Sequence, residues 1–447
     1  MSLTAYRLLL EHLIRGAPLF LKTNFGDPEK IADRRLRYLV KYAYENVPLY
    51  RRKYDAAGVK PADIRGVRDI NKLPLITKQD LVAGYPNDIL SKRAKPGSYV
   101  MVGTSGSTGV PVRVYKNRDL FSMGMVVWLF TSRLIDRYLN LKLKPRKLMS
   151  ILIETPDSLE GVNAAEKRRL PAFAFRHTLD VDALSPVDEI TASLNSFKPD
   201  VVFTYPSILR AVAAFSRQQN AAVHQPRLLV VSGELLDENT KNSIKQAFTG
   251  ELLNAYFTTE CGPMATECKE HTGMHLRTNA IILELLKNGQ PVPAGQPGEV
   301  VVTDLWNEAT PIIRYSGLKD VARFSTGGCP CPNKAPRLDV IEGRLDDSIV
   351  LKDGRVIHPF SLTLAIEHIS GIARFQIIQD SFDDIRVLVV PENHHSPERA
   401  SEIESALKKI TGDSIAVHAE IIDKTPRTSN GHSGRVVISR VAREALS

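Results

Sequence analysis

The chain has 447 residues, 43% hydrophobic and 24% charged, and its 59 Lys and Arg against 50 Asp and Glu give a formal net charge of +9. Such a chain is long enough for two to three domains with sizeable cores, and its balance excludes a disordered or fibrous protein. No stretch approaches the ~18 uninterrupted apolar residues of a membrane span. The basic residues are interleaved with acids, which argues against nucleic acid and for attraction of small anions.

The first ninety residues read mainly as helix. Tyr6–Arg15 is amphipathic without a signal-peptide cleavage pattern, so the expected location is the cytoplasm. Ile31, Leu36, Leu39, Val40 and Ala43 fall at helical spacing, and Asn46-Val47-Pro48 is a stop. Next comes Val102-Gly103-Thr104-Ser105-Gly106-Ser107-Thr108-Gly109-Val110-Pro111. Its glycines permit positive φ and close approach to a ligand. The hydroxyls of Thr104, Ser105, Ser107 and Thr108 can wrap a phosphate chain without adding charge. Apolar flanks, Tyr99–Val102 and Val112, Val114, Tyr115, predict strand–loop–strand; a Walker A loop would need Gly-Lys-Ser/Thr feeding a helix. A plain flexible turn is the other reading of this loop taken alone.

Beyond the loop, short apolar strands alternate with amphipathic helices. Strands are expected at Leu148–Ile153, Val201–Thr204, Leu228–Val231 and Leu252–Phe257, and helices at Pro206–Arg217 and Asp237–Phe248. That alternation predicts a layered α/β domain binding ligands at the carboxyl ends of its strands. Three such ends carry Tyr205-Pro206-Ser207, Ser232-Gly233-Glu234 and Thr258-Thr259-Glu260. From Ile281 to Val350 the pattern turns to β: Ile281–Leu286, Glu299–Asp304, Asp320–Phe324 and Ser348–Leu351, with turns at Asn288-Gly289 and Asp353-Gly354. After a boundary near Leu345 a compact α+β unit follows. It has a helix at Ser361–Ile369, strands Phe375–Gln379 and Ile385–Val390, a helix through Ile403, Ala406, Leu407 and Ile410, and a closing strand Ala416–Ile422.

Four cysteines in a long chain without a signal point to a reducing compartment, where clustered thiols mean metal or chemistry rather than disulfides. Cys329-Pro330-Cys331 with the distant Cys268 and His275 offers three thiolates and an imidazole, a closed structural zinc set. Cys261 and His271 stand in reserve, and buried free thiols are the alternative.

Several motifs now stand in one order: the glycine loop, Ser232-Gly233-Glu234, Tyr256-Phe257-Thr258-Thr259-Glu260, Arg314-Tyr315-Ser316-Gly317-Leu318-Lys319-Asp320 and Gly343-Arg344-Leu345-Asp346-Asp347. This series resembles the adenylate-forming superfamily of acyl-CoA synthetases and adenylation domains, in its phenylacetate–CoA ligase and capsule-biosynthesis branch. Lys41–Tyr50 and Lys72–Lys78 look like that branch's N-terminal signature, and some of its members have similar cysteine and histidine positions. The resemblance implies an α/β fold: an N-terminal adenylation domain of several subdomains, residues 1–345, and a small mobile α+β lid, 346–447. It also implies ATP and Mg²⁺, coenzyme A as acceptor and a small-molecule carboxylic acid, aryl or otherwise hydrophobic, as substrate; structural zinc accords with it.

By the same resemblance Thr104, Ser105, Gly106, Ser107, Thr108 and Gly109 cradle the phosphates, while Ser232, Gly233, Glu234, Tyr256 and Phe257 line the adenine and acyl pocket. Thr259 touches the α-phosphate and Glu260 holds Mg²⁺. Asp320 and Arg344 grip the ribose, Asp346 is the hinge, and Tyr205 contacts the substrate. Core packing is the plain alternative for Tyr205 and Tyr256. The chain departs from the pattern at three places. Val110 replaces a lysine, one extra residue separates Arg314 from Asp320, and His432 stands where the lid's catalytic lysine belongs, with Lys424 a candidate substitute. An amine acceptor giving an amide, or a nucleotide or acyl-adenylate binding protein with degenerate activity, are the competing readings, and a homodimer is left open.

Overall fold

Two helices open the chain, Leu3–Asn24 and Pro28–Asn46. The second starts where Asp27 accepts hydrogen bonds from the Glu29 and Lys30 N–H groups, with Pro28 preset in its first turn. It ends at Asn46; Val47 is extended, and Pro48–Ala56 begins a third helix, so the expected stop is also a start. A capping box of Thr77 and Asp80 begins the helix Lys78–Gly84. The computed structural model describes residues 3–24, 26–104, 112–123, 147–153, 158–168, 177–344, 348–352, 356–357, 362, 365–366, 369, 371–391, 398–412, 415–423 and 437–441. No described helix is long and apolar enough to cross a membrane.

The hairpin β1 (Tyr99–Gly103) and β2 (Arg113–Asn117) is antiparallel, with Gly103 opposite Arg113, so the glycine loop joins two strands. Five parallel strands follow: β3 (Leu148–Leu152), β4 (Thr178–Asp182), β5 (Val201–Thr204), β6 (Leu228–Val231) and β7 (Glu251–Thr258). They lie in the order β4-β3-β5-β6-β7. The helices Val187–Phe197, Pro206–Gln219 and Glu238–Ala247 alternate with them. Strand β4 is not among the expected strands because Asp180 and Asp182 interrupt its apolar run.

The β-rich stretch does not form a separate layer. It consists of β8 (Gly262–Glu267), β9 (Met274–Leu276), β10 (Ile281–Lys287), β11 (Gln290–Pro291), β12 (Pro297–Asp304), β13 (Ile312–Tyr315), β14 (Asp320–Phe324) and β15 (Arg337–Arg344). These extend the parallel strands past β7 in the order β8-β9-β15-β14-β12-β10-β11, with β13 on β12, making one 13-stranded sheet. β13 and β14 are two parts of a broken strand along β12: Asp304 faces Ile312, and Pro297 faces Arg323. The break carries the extra residue of the Arg314–Asp320 motif, and Arg314 and Lys319 absorb it at φ 49° and 59°. Gly317 is required there, because a Cβ would fall 2.4 Å from the Tyr315 ring.

The N-terminal helices share the core of this antiparallel half, where Leu36, Tyr50 and Ile76 pack with Val300, Ile312 and Tyr315. Arg314 binds them together. Its guanidinium donates to both Glu284 carboxylate oxygens, at 3.1 and 2.9 Å, and to the carbonyls of Asn71 and Leu73.

The C-terminal strands are β16 (Ile349–Val350), β17 (Val356–Ile357), β18 (Ile372–Gln379), β19 (Asp384–Pro391), β20 (Ala416–Ile421) and β21 (Val437–Ser439). Four form a sheet in the order β20-β19-β18-β21, and the helix Glu398–Thr411 packs Ile403 and Leu407 into a core drawn only from residues 349–437. β21 adds a strand beyond the expected closing one. Leu362 and Ile366 are buried in this core, whereas most of the helix expected around them, and the turn at Asp353-Gly354, lie outside the described residues. The fully buried Gln379 side chain acts as a short piece of strand. It donates to the Val350 carbonyl at 2.8 Å and accepts from the Val350 N–H at 3.1 Å and the Ser439 hydroxyl at 2.7 Å. The architecture is the expected large α/β unit with a small α+β unit.

Candidate active site and candidate metal centre

The three motif loops leave adjacent parallel strands β5, β6 and β7 at their carboxyl ends. Tyr205 precedes the helix Pro206–Gln219 and lacks a capping side chain. Glu234 supplies the cap from the next loop: its carboxylate accepts the Ser207 N–H and hydroxyl, each at 3.0 Å. Gly233, at φ 82°, lies under the Tyr205 ring, where a Cβ would meet Cε1 at 2.9 Å. The Tyr205 hydroxyl accepts the Ile153 N–H at 3.4 Å, and burial pushes its pKa well above the usual value. Ser232 is buried, and its hydroxyl has no hydrogen-bond partner among the described residues. The Phe203 and Phe257 rings meet at 5.5 Å, giving this end an aromatic wall.

Thr104 closes the base of the glycine loop. Its N–H donates to the Val112 carbonyl and its hydroxyl accepts the Val112 N–H, at 2.9 and 3.0 Å. At the turn after β7, Thr259 is half-buried and Glu260 is 6% exposed. The Tyr315 hydroxyl lies 3.5 Å from the Glu260 carboxylate. Lys116 from β2 is also buried. Its ammonium donates to the Glu260 carbonyl and stands 3.5 Å from Asp304. Sequence reasoning passed over Lys116, because a lysine is rarely buried.

Asp320 begins β14, and its carboxylate accepts the Tyr256 hydroxyl at 2.5 Å. Arg344 stands opposite Asp320 in the β14–β15 register. The extra residue in the motif therefore leaves Asp320 against β7. Ser105, Gly106, Ser107, Thr108 and Gly109, with Val110, Asp346, Lys424 and His432, lie outside the described residues.

Some distance along the sheet, the donor atoms of Cys268, His275, Cys329 and Cys331 all lie within 4.8 Å of one another. Cys268 and Cys329 sulfurs are 3.7 Å apart, and Cys331 Sγ is 3.3 Å from His275 Nε2. His275 Nδ1 lies 3.3 Å from the Ala335 carbonyl, which orients the ring. Burial pushes the Cys268 thiol up to about 11. Burial also raises Cys329, but the Thr272 hydroxyl and its other donors outweigh it and hold that thiol down to about 6. Three sulfurs and one imidazole suit a tetrahedral zinc ion. The reserve residues are excluded by position. Cys261 packs in the main core, where burial raises its pKa, and His271, turned by φ 48°, faces Glu251 at 2.5 Å.

Residues 177–306 match the family model described as AMP-binding enzyme, and residues 349–440 match the CapK C-terminal domain. The phenylacetate-coenzyme A ligase of Escherichia coli (strain K12) is 29% identical over 364 residues, covering 76% of this chain and 77% of its own. Protein CapK of Staphylococcus aureus is 22% identical over 91% of this chain and 88% of its own. The chain therefore carries an AMP-binding-enzyme region and a CapK C-terminal region, and these matches support the adenylate-forming superfamily in its phenylacetate–CoA ligase and CapK branch. The adenylate-forming fold extends over nearly the whole chain. A 2-hydroxyisobutyryl-CoA ligase in complex with R3-HIB-AMP has a TM-score of 0.76 at 22% identity, over 94% of this chain and 91% of its own.

Proposed function

We propose that this adenylate-forming enzyme is a carboxylic acid–CoA ligase. In the first half-reaction a substrate carboxylate oxygen bonds to the α-phosphorus of ATP as the bond to pyrophosphate breaks. In the second the coenzyme A thiolate bonds to the acyl carbon, and AMP leaves with the bridging oxygen. The AMP-binding match and the phenylacetate-coenzyme A ligase relatives support the reaction type. The observation that supports the site assignment is the gathering of Glu260 and the Tyr256–Asp320 pair at the carboxyl end of β7, with Lys116 of the hairpin that carries the glycine loop bonded to the Glu260 carbonyl.

In this reading Thr104 and the glycines and hydroxyls through Gly109 hold the phosphates, and Thr259 meets the α-phosphate. A buried carboxylate suits a hard cation, so Glu260 would hold Mg²⁺, which neutralises charge as pyrophosphate departs. Asp320 accepts a ribose hydroxyl while Tyr256 fixes its orientation, with Arg344 opposite. The aromatic wall of Phe203, Tyr205 and Phe257 favours an aryl or hydrophobic acid. The unit from 346 onward acts as the lid, bending at Asp346 and presenting Lys424 or His432 to the first half-reaction. Zinc at Cys268, His275, Cys329 and Cys331 would pin β9 to the loop before β15 and take no part in chemistry. The working compartment in this reading is the cytoplasm.

Pyrophosphate exchange across a panel of carboxylic acids tests the first half-reaction, and product analysis with coenzyme A or amines tests the second. Exchange with thioester formation is expected. An amide product would replace the acceptor, and bound nucleotide without exchange with any acid would make the protein a binding module.

A further inference from the structure

Lys116 is a buried cation contributed by the strand that leaves the glycine loop, and its surroundings make it a rigid arm. The backbone on either side of it is clamped by the turn after β12. The Asn307 side chain donates to the Tyr115 carbonyl at 2.8 Å and accepts the Asn117 N–H at 3.0 Å. Thr310 bonds Tyr115 in both directions, each at 3.1 Å, and Asn117 in turn accepts the N–H groups of Glu308 and Ala309. Asp304, which faces the ammonium, is itself held by the N–H groups of Trp306 and Asn307 at 2.9 and 3.3 Å. The arm's root and its counter-charge are thus fixed by one turn, and its tip rests on the Glu260 carbonyl.

A lysine at 5% exposure is costly to bury, and pairing with Asp304 offsets that cost. An apolar side chain would fill the space without desolvating a charge. What the ammonium adds is a directed bond between two segments 144 residues apart in the chain. One is the exit of the glycine loop, and the other is the turn carrying Thr259 and Glu260. We propose that Lys116 is a positioning residue for adenylation: it locks the Glu260 turn to the β1–β2 hairpin, so that the metal-holding carboxylate and that hairpin keep one fixed separation. The inference rests on the proposed function for the role of Glu260. Lys116 touches neither nucleotide nor acid in this scheme; it acts through the backbone of Glu260.

The test uses Lys116→Met, Lys116→Gln and Lys116→Arg in the full chain. Mn²⁺ binding in the presence of a non-hydrolysable ATP analogue is titrated by paramagnetic resonance. Removing a group that orients a metal ligand costs about 10–100-fold in affinity. Lys116→Met is therefore expected to raise the apparent Mn²⁺ dissociation constant at least about tenfold, with Lys116→Arg recovering part of the loss. Hydrogen exchange at the Cys261 N–H, which donates to Thr258 Oγ1, should quicken in the same variant. Equal Mn²⁺ titrations in folded Lys116→Met and wild type would overturn the proposal. If the Met variant does not fold, Lys116→Gln, which keeps a donor for the carbonyl, is titrated instead. Loss of fold in both assigns Lys116 to the core alone and likewise overturns it. Failure of wild type to exchange pyrophosphate with any acid would sink the proposed ligase, while the Mn²⁺ titration still reads the lock.

Discussion

The Cys/His cluster and the cluster around Glu260 are both polar knots in one sheet, yet they are assembled in opposite ways. The first comes from two short segments, 268–275 and 329–331, and closes on itself, with four donor atoms within 4.8 Å. The second takes one group each from β2, the β7–β8 turn, the end of β12 and β13, and lies where parallel strands end. A closed donor set holds an ion permanently and stiffens the chain. An assembly from four distant segments transmits any displacement of one segment to the others. The comparison predicts that damage to the first cluster appears in stability, and damage to the second in turnover.

The largest effect is expected at the closed cluster. Cys331→Ser should reduce zinc from about one per chain to a small fraction and lower the melting temperature by several degrees. Surviving folded protein should keep near-normal pyrophosphate exchange. Elemental analysis with calorimetry checks both, and zinc-free wild type prepared without chelator would break the comparison at once.

Glu260→Gln should leave the melting temperature within about two degrees and lower kcat/KM for MgATP at least about tenfold, since a charge is lost where pyrophosphate charge develops. Asp320→Ala should raise the KM for ATP about tenfold with kcat little changed, because it removes binding shared by ground and transition states. Tyr256→Phe, which removes only the hydroxyl on Asp320, should do the same to a smaller extent, about threefold. Wild-type kinetics in all three would detach the open cluster from the reaction.

The smallest effect concerns His432. If a cation is needed there, adenylation should fall as pH rises through the ordinary imidazole value of roughly 6.5, and His432→Lys should raise the rate severalfold and flatten the profile. Rapid-quench measurement of acyl-adenylate in wild type, His432→Lys and His432→Ala checks this. Equal rates would move attention to Lys424.

What could be read in advance follows from how each part is built. Val201–Thr204 and Leu228–Val231 stood out because parallel strands covered on both faces become unbroken apolar runs. The loops after them were legible for the same reason. β9 has three residues, too few for any period, and β15 mixes Arg337, Asp339, Glu342 and Arg344 with its apolar residues, so neither stood out. The Cys/His spacing puts Cys268, His275, Cys329 and Cys331 first and holds Cys261 and His271 in reserve, and the four favoured donors are the ones that gather. Tertiary position explains the reserve pair: Cys261 is sunk in the core and His271 is turned toward Glu251. Lys116 shares the buried face of β2 with Val114, and its counter-charge, Asp304, is 188 residues away; nothing local marks it as interior.

The Gln379 clasp has a consequence for recombination between relatives. Arg344 is fixed in register to Asp320 on one side, and Val350 is laced to Gln379 on the other. Five residues of sequence, 345–349, separate the two anchors. A crossover placed between the two anchors transplants Val350, Gln379 and Ser439 as one inherited set. A crossover a few residues later, past Val350, separates Gln379 from the neighbour it evolved with, at a fully buried position. Hybrids cut at the earlier seam should express well, and those cut at the later one should need a matching donor.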